Sequence, residues 1–224
     1  MRALLILLTL LLLAPAARAG SAEHAFQMWT PVFVDVPILK PRVRGYFEVN
    51  PRLNDGLDGM SQLLVRPALG YRFNQHVATY AGYAWITNYP TGFFQEQRIW
   101  QQLGLGFTAF RCGVLNRMRL EQRLIEHTDG AAAVRYRHMI RLAVPLFQTR
   151  WYLVGFDELF INFNSVSNAV QSGIDQNRIY VGLGRQISRN LRTEVAYQQQ
   201  YVNRRDVADD KANHILMTSL FIDF

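Results

Sequence analysis

Arginine recurs at every second position in two nearby stretches, RMRLEQRLI at 117–125 and RYRHMIR at 135–141. Between these arginines stand mainly apolar residues, such as Met118, Leu120 and Ile140. Successive side chains of a β-strand point to opposite faces, so this period of two predicts strands with one charged and one apolar face. The apolar face has to meet an apolar surrounding, and the arginine rows have to point away from it.

The first nineteen residues have the composition of a secretory signal peptide. Arg2 precedes an apolar run at 3–14, and Ala17 and Ala19 provide small residues for cleavage. A membrane anchor is the alternative, but the run is shorter than the ~20 residues of a spanning helix. We therefore predict a signal peptide at 1–19 and one domain at 20–224. Because Cys112 is the only cysteine, neither a lipid-modified cysteine near the cleavage site nor an intrachain disulfide is expected.

The rest of the chain consists of strand-like runs separated by turn sequences. Most runs have about the 9–11 residues with which a tilted strand crosses a bilayer. The mean hydropathy of −0.03 is compatible with this interpretation, because lipid-facing and lumen-facing residues average out. The runs lie at 27–36, 42–52, 61–73, 76–86, 96–110, 113–127, 134–147, 151–163, 177–188, 190–202 and 213–224.

Short and long connections alternate along the chain. Two-residue turns such as Arg111-Cys112 alternate with long polar segments such as NSVSNAVQSGID, as in outer-membrane barrels with short periplasmic turns and long exterior loops. A soluble barrel is the alternative. A barrel chain that begins and ends in the periplasm needs an even number of strands. The eleven runs therefore predict an all-β, antiparallel up-and-down transmembrane barrel of about 10–12 strands, with ten or twelve favoured over eleven.

The final strand has an alternating apolar face that ends in an aromatic residue. Such an ending resembles the signal by which the outer-membrane barrel assembly machinery recognises its clients. The face consists of Leu216, Thr218, Leu220, Ile222 and Phe224.

Several short motifs follow one another in an order that resembles a known bacterial family. They are EQRIWQQ at 96–102, RMRLEQR at 117–123, RYR at 135–137, DELFIN at 157–162 and DQNRIYVGLG at 175–184. The chain resembles, over nearly all of its mature length, the outer-membrane barrel family catalogued as a domain of unknown function, number 2490. The resemblance implies a barrel in the bacterial outer membrane and no established activity.

If the apolar positions face lipid, the charged positions of the same strands line a lumen. The predicted set contains thirteen arginines and five glutamates, an excess of eight positive charges, and the predicted acids are all glutamate. The alternating glycines Gly104, Gly106, Gly182 and Gly184 are expected to leave room for arginines. Trp100 falls on the inward phase, either as a plug or as a sign of a slipped phase. The predicted lumen-lining residues are Arg44, Glu48, Arg52, Arg66, Arg72, Glu96, Arg98, Arg117, Arg119, Glu121, Arg123, Arg135, Arg137, Arg141, Glu158, Arg178, Arg192 and Glu194.

Two functions are compatible with this lumen. In one, unpaired arginines form a path for small anionic solutes through a passive channel. In the other, Arg–Glu networks fill the lumen of a non-conducting structural or interaction barrel. A third function, hydrolysis of outer-membrane lipid, rests on His127 alone, because Asp129 stands where such a site needs a serine. We therefore expect no enzyme.

The expected partners follow from the predicted location. They are outer-membrane lipid and lipopolysaccharide, the barrel assembly machinery and small anionic solutes. We expect no cofactor and no metal site, because the five histidines lack metal-ligand spacing. Nucleic acid is not expected either, because arginines inside a lumen cannot reach a duplex.

Overall fold

The computed structural model describes residues 22–54, 59–89, 94–126, 128, 130–167, 169–204 and 209–224. The predicted signal peptide lies outside these residues. Within them no helix is long and apolar enough to cross a membrane. The strands of the described residues are β1 (Ala22–Trp29), β2 (Val32–Pro37), β3 (Val43–Leu53), β4 (Met60–Arg72), β5 (Val77–Asn88), β6 (Phe94–Ala109), β7 (Cys112–Ile125), β8 (Ala132–Pro145), β9 (Trp151–Asn162), β10 (Gly173–Gln186), β11 (Leu191–Val202) and β12 (Asp210–Asp223).

The strands form one closed sheet. From β2 to β12 each strand pairs with the next along the chain in antiparallel orientation. The predicted all-β barrel is therefore confirmed. The closure between the first and last strands has a different geometry.

Strands β1 and β2 share one position between β12 and β3. Both run parallel to β12 in the same register, with Trp29 opposite Met217 and Val32 opposite Leu220. Pro31 lies between them, and its carbonyl accepts a hydrogen bond from the Leu220 amide at 3.0 Å. Proline has no amide hydrogen to donate, which accounts for the interruption. In the part of the chain that is described, the barrel thus has eleven strand positions and one parallel seam.

The expectation of an even strand number is wrong for a physical reason. It assumed that the first strand starts at the same rim as the last strand ends. Ala22 instead lies beside Asp210, where β12 begins, and Asp35 lies beside Asp223, where β12 ends. A first strand parallel to the last makes an odd number possible.

Two rims follow from the connections. The short-turn rim carries the connections 38–42, 73–76, 110–111, 146–150 and 187–190, together with Phe224. At the long-loop rim β3, β5, β7, β9 and β11 end and β4, β6, β8, β10 and β12 begin, and Ala22 lies at the same rim. At the tightest turn, Phe110 and Arg111 have φ values of 50° and 67°. A two-residue hairpin loop with positive φ at both positions matches the right-handed twist of its flanking strands.

Side chains alternate between the outer face and the interior. Phe47, Leu69, Ile99, Phe107 and Leu216 are exposed on the outer face. The described interior contains polar clusters and apolar clusters. One apolar cluster surrounds Trp29, Tyr180 and Ile215, a second surrounds Leu64 and Trp100, and a small third one consists of Ala133, Val166 and Val170. Trp100 is 1% exposed and points inward, so the strand phase does not slip there.

Two interior glycines, Gly70 and Gly184, make room for tyrosine rings rather than for arginines. A Cβ added to Gly184 would lie 2.1 Å from the Tyr152 ring, and one added to Gly70 would lie 2.3 Å from the Tyr80 ring. At Gly182 the added Cβ would meet Ala196 at 2.4 Å. The expectation for Gly182 and Gly184 is therefore wrong, because these positions are filled by ring stacking and close strand packing.

Candidate functional site

A cavity of about 670 Å³ lies in the barrel interior. Gln62 and Asn88 line it at the long-loop end, and Arg192 and Asp223 line it at the short-turn end. The side chains of fifteen of the eighteen predicted lumen residues contribute to its lining. The other three are Arg44 and Arg72, at the short-turn rim, and the buried Glu121.

Glu121 lies at the centre of the largest ion-pair cluster. Its carboxylate oxygens lie 2.7 Å from Arg135 and 2.7 Å from Arg137. The guanidinium groups of Arg98 and Arg119 are each 3.8 Å away. Glu121 is 1% exposed, so its charge is compensated by these four groups rather than by bulk water.

Other acids pair with the remaining arginines of the network. These pairs are Glu158 with Arg117 (2.6 Å) and Arg137 (2.7 Å), Glu96 with Arg98 (2.6 Å) and Arg123 (2.5 Å), Glu48 with Arg66 (2.7 Å), and Glu194 with Arg141. Glu194 also accepts hydrogen bonds from the hydroxyls of Tyr152 at 2.7 Å and Tyr180 at 3.0 Å.

Three aspartates extend the network beyond the predicted set. Asp35 pairs with Arg44 at 2.6 Å and with Arg72 at 3.3 Å. Asp175 and Asp223 each pair with one arginine, at 2.9 Å and 2.5 Å. The prediction that all interior acids are glutamate is therefore wrong. Within the described residues, these aspartates lower the predicted positive excess of the interior set from eight to five.

The alternation pattern could have revealed two of these aspartates. Asp223 shares the parity of the inward residues of β12, and Asp35 shares the parity of Trp29. Asp175 has the wrong parity for an inward residue. It reaches the interior because a register shift between Ile174 and Gln176 changes the phase at the start of β10.

Aromatic rings contact several guanidinium groups in the interior. The Phe160 ring is fully buried, and the guanidinium carbons of Arg137 and Arg178 lie 4.4 Å and 4.7 Å from its centroid. Trp100 contacts Arg119 in the same way, at 4.5 Å. Cation–π contacts of this kind stabilise guanidinium groups that are removed from water.

Arg52 and Arg178 differ from the other predicted interior arginines. Among the described residues, neither has a carboxylate within 4 Å, whereas each of the other eleven has at least one. Both contact Trp29, with guanidinium carbons 3.6 Å and 5.1 Å from the ring centroid. This pair is the part of the site that the residue pattern alone did not distinguish.

Comparison with known proteins gives the family of the chain. The family described as "Protein of unknown function (DUF2490)" matches residues 26–211. The chain belongs to this family. It is also 30% identical over 230 residues to an uncharacterized protein of Methylorubrum extorquens, an alignment that covers 98% of this chain and 97% of that protein. The predicted family is confirmed.

The outer face of this DUF2490 barrel carries two polar groups at predicted lipid-facing positions. The His138 Nε2 lies 3.1 Å from the Asn116 Oδ1. The His214 ring lies 2.9 Å from His24 and 2.6 Å from the Tyr197 hydroxyl. Among the described residues, no group of three or more histidine, cysteine, aspartate or glutamate side chains could hold a metal ion.

The remaining predicted sites are only partly described. His127 and Asp129, on which the hydrolase hypothesis rests, lie outside the described residues. Of the predicted assembly signal, Leu216, Thr218 and Phe224 are exposed. The Phe224 carbonyl accepts a hydrogen bond from Arg44 at 2.6 Å. Recognition of this strand by the assembly machinery stays a prediction.

Proposed function

We propose that the mature protein is an outer-membrane barrel that admits small anions into its interior. The location is supported first by the outer face. Large apolar side chains stand exposed along the strands, among them Phe47, Leu69, Ile99 and Val195. Soluble monomers rarely expose contiguous apolar patches of large size. A bilayer provides the apolar surrounding that such a band needs.

The composition of the short-turn rim gives a second argument for the membrane. Most of its connections combine an exposed apolar side chain with an exposed basic one, as in Leu39 with Lys40 and Phe110 with Arg111. Phe147 with Arg150 and Ile187 with Arg189 follow the same pattern, and none of the five connections contains an acid. Apolar and cationic groups together suit the boundary between acyl chains and anionic headgroups.

The observation that carries the anion proposal is the positive excess around the cavity. Five more arginines than carboxylates belong to the described interior set, and the cavity reaches from the Gln62 end to the Arg192 end. Uncompensated charge removed from water is costly unless water or counterions reach it. The excess therefore favours an interior that anions enter.

Ion selectivity in a planar bilayer tests the proposal. Under a KCl gradient, the reversal potential of the wild type is expected to show anion preference. Arg72→Glu with Arg192→Glu would reduce that preference, because the two changes lower the excess from five to one. Both side chains are partly exposed at the short-turn rim, so the variant is expected to keep the fold. Arg119 and Arg137 are less suitable targets, because they lie in the packed centre of the network.

The matched control places the same charge reversal on the outer face. Arg185 lies on an outward position of β10, over the Trp151 ring. Arg185→Glu is expected to leave the reversal potential unchanged. Cation preference in the wild type, or equal shifts in the two variants, would contradict the proposal.

The ion-pair network also favours a second candidate function, a non-conducting scaffold. Glu121, Trp100 and Phe160 are almost completely buried in the interior. A scaffold of this kind predicts no steady single-channel current from correctly folded protein. Neither candidate includes a catalytic step.

A further inference from the structure

We infer that the long-loop end of the cavity holds a binding site for one small oxyanion, a carboxylate or phosphate group, between Arg52 and Arg178 beside Trp29. The site deepens the proposed function and rests on it in one respect, since the anion has to enter the barrel.

Arg52 and Arg178 differ from neighbouring interior arginines in how their charges are compensated. The Arg66 guanidinium has a glutamate, Glu48, at 2.7 Å. Arg52, four residues beyond Glu48 on β3, has no carboxylate within 4 Å in the described part of the chain. Arg178 lies directly across from Glu158 in register, yet Glu158 binds Arg117 and Arg137 instead. Among the described residues, two positive charges in one region therefore have no carboxylate within 4 Å.

The guanidinium groups of Arg52 and Arg178 lie near the same aromatic ring. Their central carbons both lie within 5.1 Å of one point, the centre of the Trp29 ring. Trp29 is 3% exposed and belongs to a buried cluster, so the ring is a fixed support. Two like charges beside one buried ring repel each other, and the arrangement is costly unless an anion lies between or beside them.

The side-chain hydrogen bonds of Arg52 and Arg178 go to neutral glutamine oxygens. Arg52 donates to the side-chain oxygen of Gln62, and Arg178 donates to that of Gln176 at 3.4 Å. Gln200 donates to the same oxygen of Gln176. Neutral amides orient the guanidinium groups without cancelling their charge. The Nε atoms of both arginines are buried and without a partner among the described residues.

The shape of the guanidinium group favours an oxyanion as the ligand. A guanidinium group presents a planar fork of donors that matches the paired oxygens of a carboxylate or phosphate. Chloride has no such geometry and gains only the charge attraction. The site is therefore expected to bind oxyanions more tightly than chloride.

Calorimetric titration in a neutral detergent tests the site without a current measurement. Phosphate, acetate and chloride are titrated separately at one ionic strength into the wild type and into Arg52→Gln with Arg178→Gln. Arg185→Gln is the matched control, because it removes an arginine that lies on the outer face, over the Trp151 ring. We expect saturable binding of phosphate or acetate to the wild type, at least ten-fold weaker binding to the double variant, and binding within two-fold of wild type for the control.

The conservative variant Arg52→Lys with Arg178→Lys guards against misfolding as an explanation. It keeps both charges but loses the planar forks, so chloride binding is expected to persist while the preference for oxyanions falls. Phosphate binding alone or acetate binding alone would name the group that the site takes. Absence of oxyanion binding to the wild type, or equal binding to the wild type and the double glutamine variant, would overturn the site. A barrel that binds oxyanions without conducting contradicts only the channel, and an anion-selective barrel without this binding contradicts only the site.

Discussion

Glu121 shows at the scale of one residue how the interior tolerates many arginines. Four guanidinium groups lie within 3.8 Å of its carboxylate, which is almost fully buried. Because one carboxylate partly neutralises several cations, the interior needs fewer acids than one-to-one pairing would require. Its loss would leave several buried cations at once without their counter-charge.

We therefore expect Glu121→Gln to destabilise the folded barrel strongly. Removing one partner of a buried ion pair costs about 3–5 kcal/mol. Urea unfolding in lipid vesicles, followed by intrinsic tryptophan fluorescence, measures this change. Glu23→Gln is the control, because Glu23 is exposed and its partner Arg204 is partly exposed. Exposed pairs contribute about 0–1 kcal/mol, so similar losses for both variants would contradict the assigned role of Glu121.

The alternation of arginines in the sequence predicts which side chains face the interior, but not which acids they pair with. Period-two alternation places Arg117, Arg119 and Arg137 on one face, and the structure brings them to common acids. The pairing itself crosses strands, as between Arg141 on β8 and Glu194 on β11, and no local pattern encodes such contacts. The exceptional state of Arg52 and Arg178 could not be predicted for the same reason, since it depends on which acids are out of reach.

At the scale of strands, a glycine on one strand packs against a tyrosine ring on the neighbouring strand, on the inner face of the barrel. Gly184 on β10 lies directly opposite Tyr152 on β9, and the ring covers the glycine. The same ring donates its hydroxyl hydrogen to Glu194 on β11. One ring thus links three consecutive strands, and it can do so only where the middle strand has no side chain.

Gly184→Ala is accordingly expected to destabilise the barrel by about 1–3 kcal/mol, the range for overpacking a filled position. The added methyl group would displace the Tyr152 ring and weaken its bond to Glu194. Gly106→Ala is the matched control, because the nearest atom to its added Cβ is 4.0 Å away. Unfolding of both variants under the same conditions decides, and an equal effect at the two glycines would refute the ring-stacking explanation.

At the scale of the whole molecule, the barrel and its strand runs could be predicted, but its closure could not. The alternation in each run specifies strands, and the connection lengths specify two rims. The direction of the first strand depends on its partner β12, about 190 residues away in the register that joins Ala22 to Asp210. A pairing of such separation leaves no trace in local periodicity.

The parallel pairing of the first strand with β12 determines on which side of the membrane the residues near Ala22 are accessible to a labelling reagent. In the proposed orientation the long-loop rim faces the cell exterior, so Glu23 lies outside and Arg189 lies in the periplasm. In a Cys112→Ser background, Glu23→Cys is expected to react with a membrane-impermeant maleimide on intact cells. Arg189→Cys is expected to react only after permeabilisation. Protection of Glu23→Cys on intact cells, with labelling after permeabilisation, would contradict the parallel closure or the orientation.

The odd number of strand positions constrains how such a barrel enters a membrane. Strands β3 to β12 can cross as five hairpins, each of which carries its chain across and back. The β1–β2 segment crosses once, so its leading end at Ala22 has to be translocated over the full height of the wall. For sixteen residues of tilted strand that height is roughly 40 Å. At the proposed location in the outer membrane, insertion of this barrel would therefore include one unpaired translocation step, which a barrel made only of hairpins avoids.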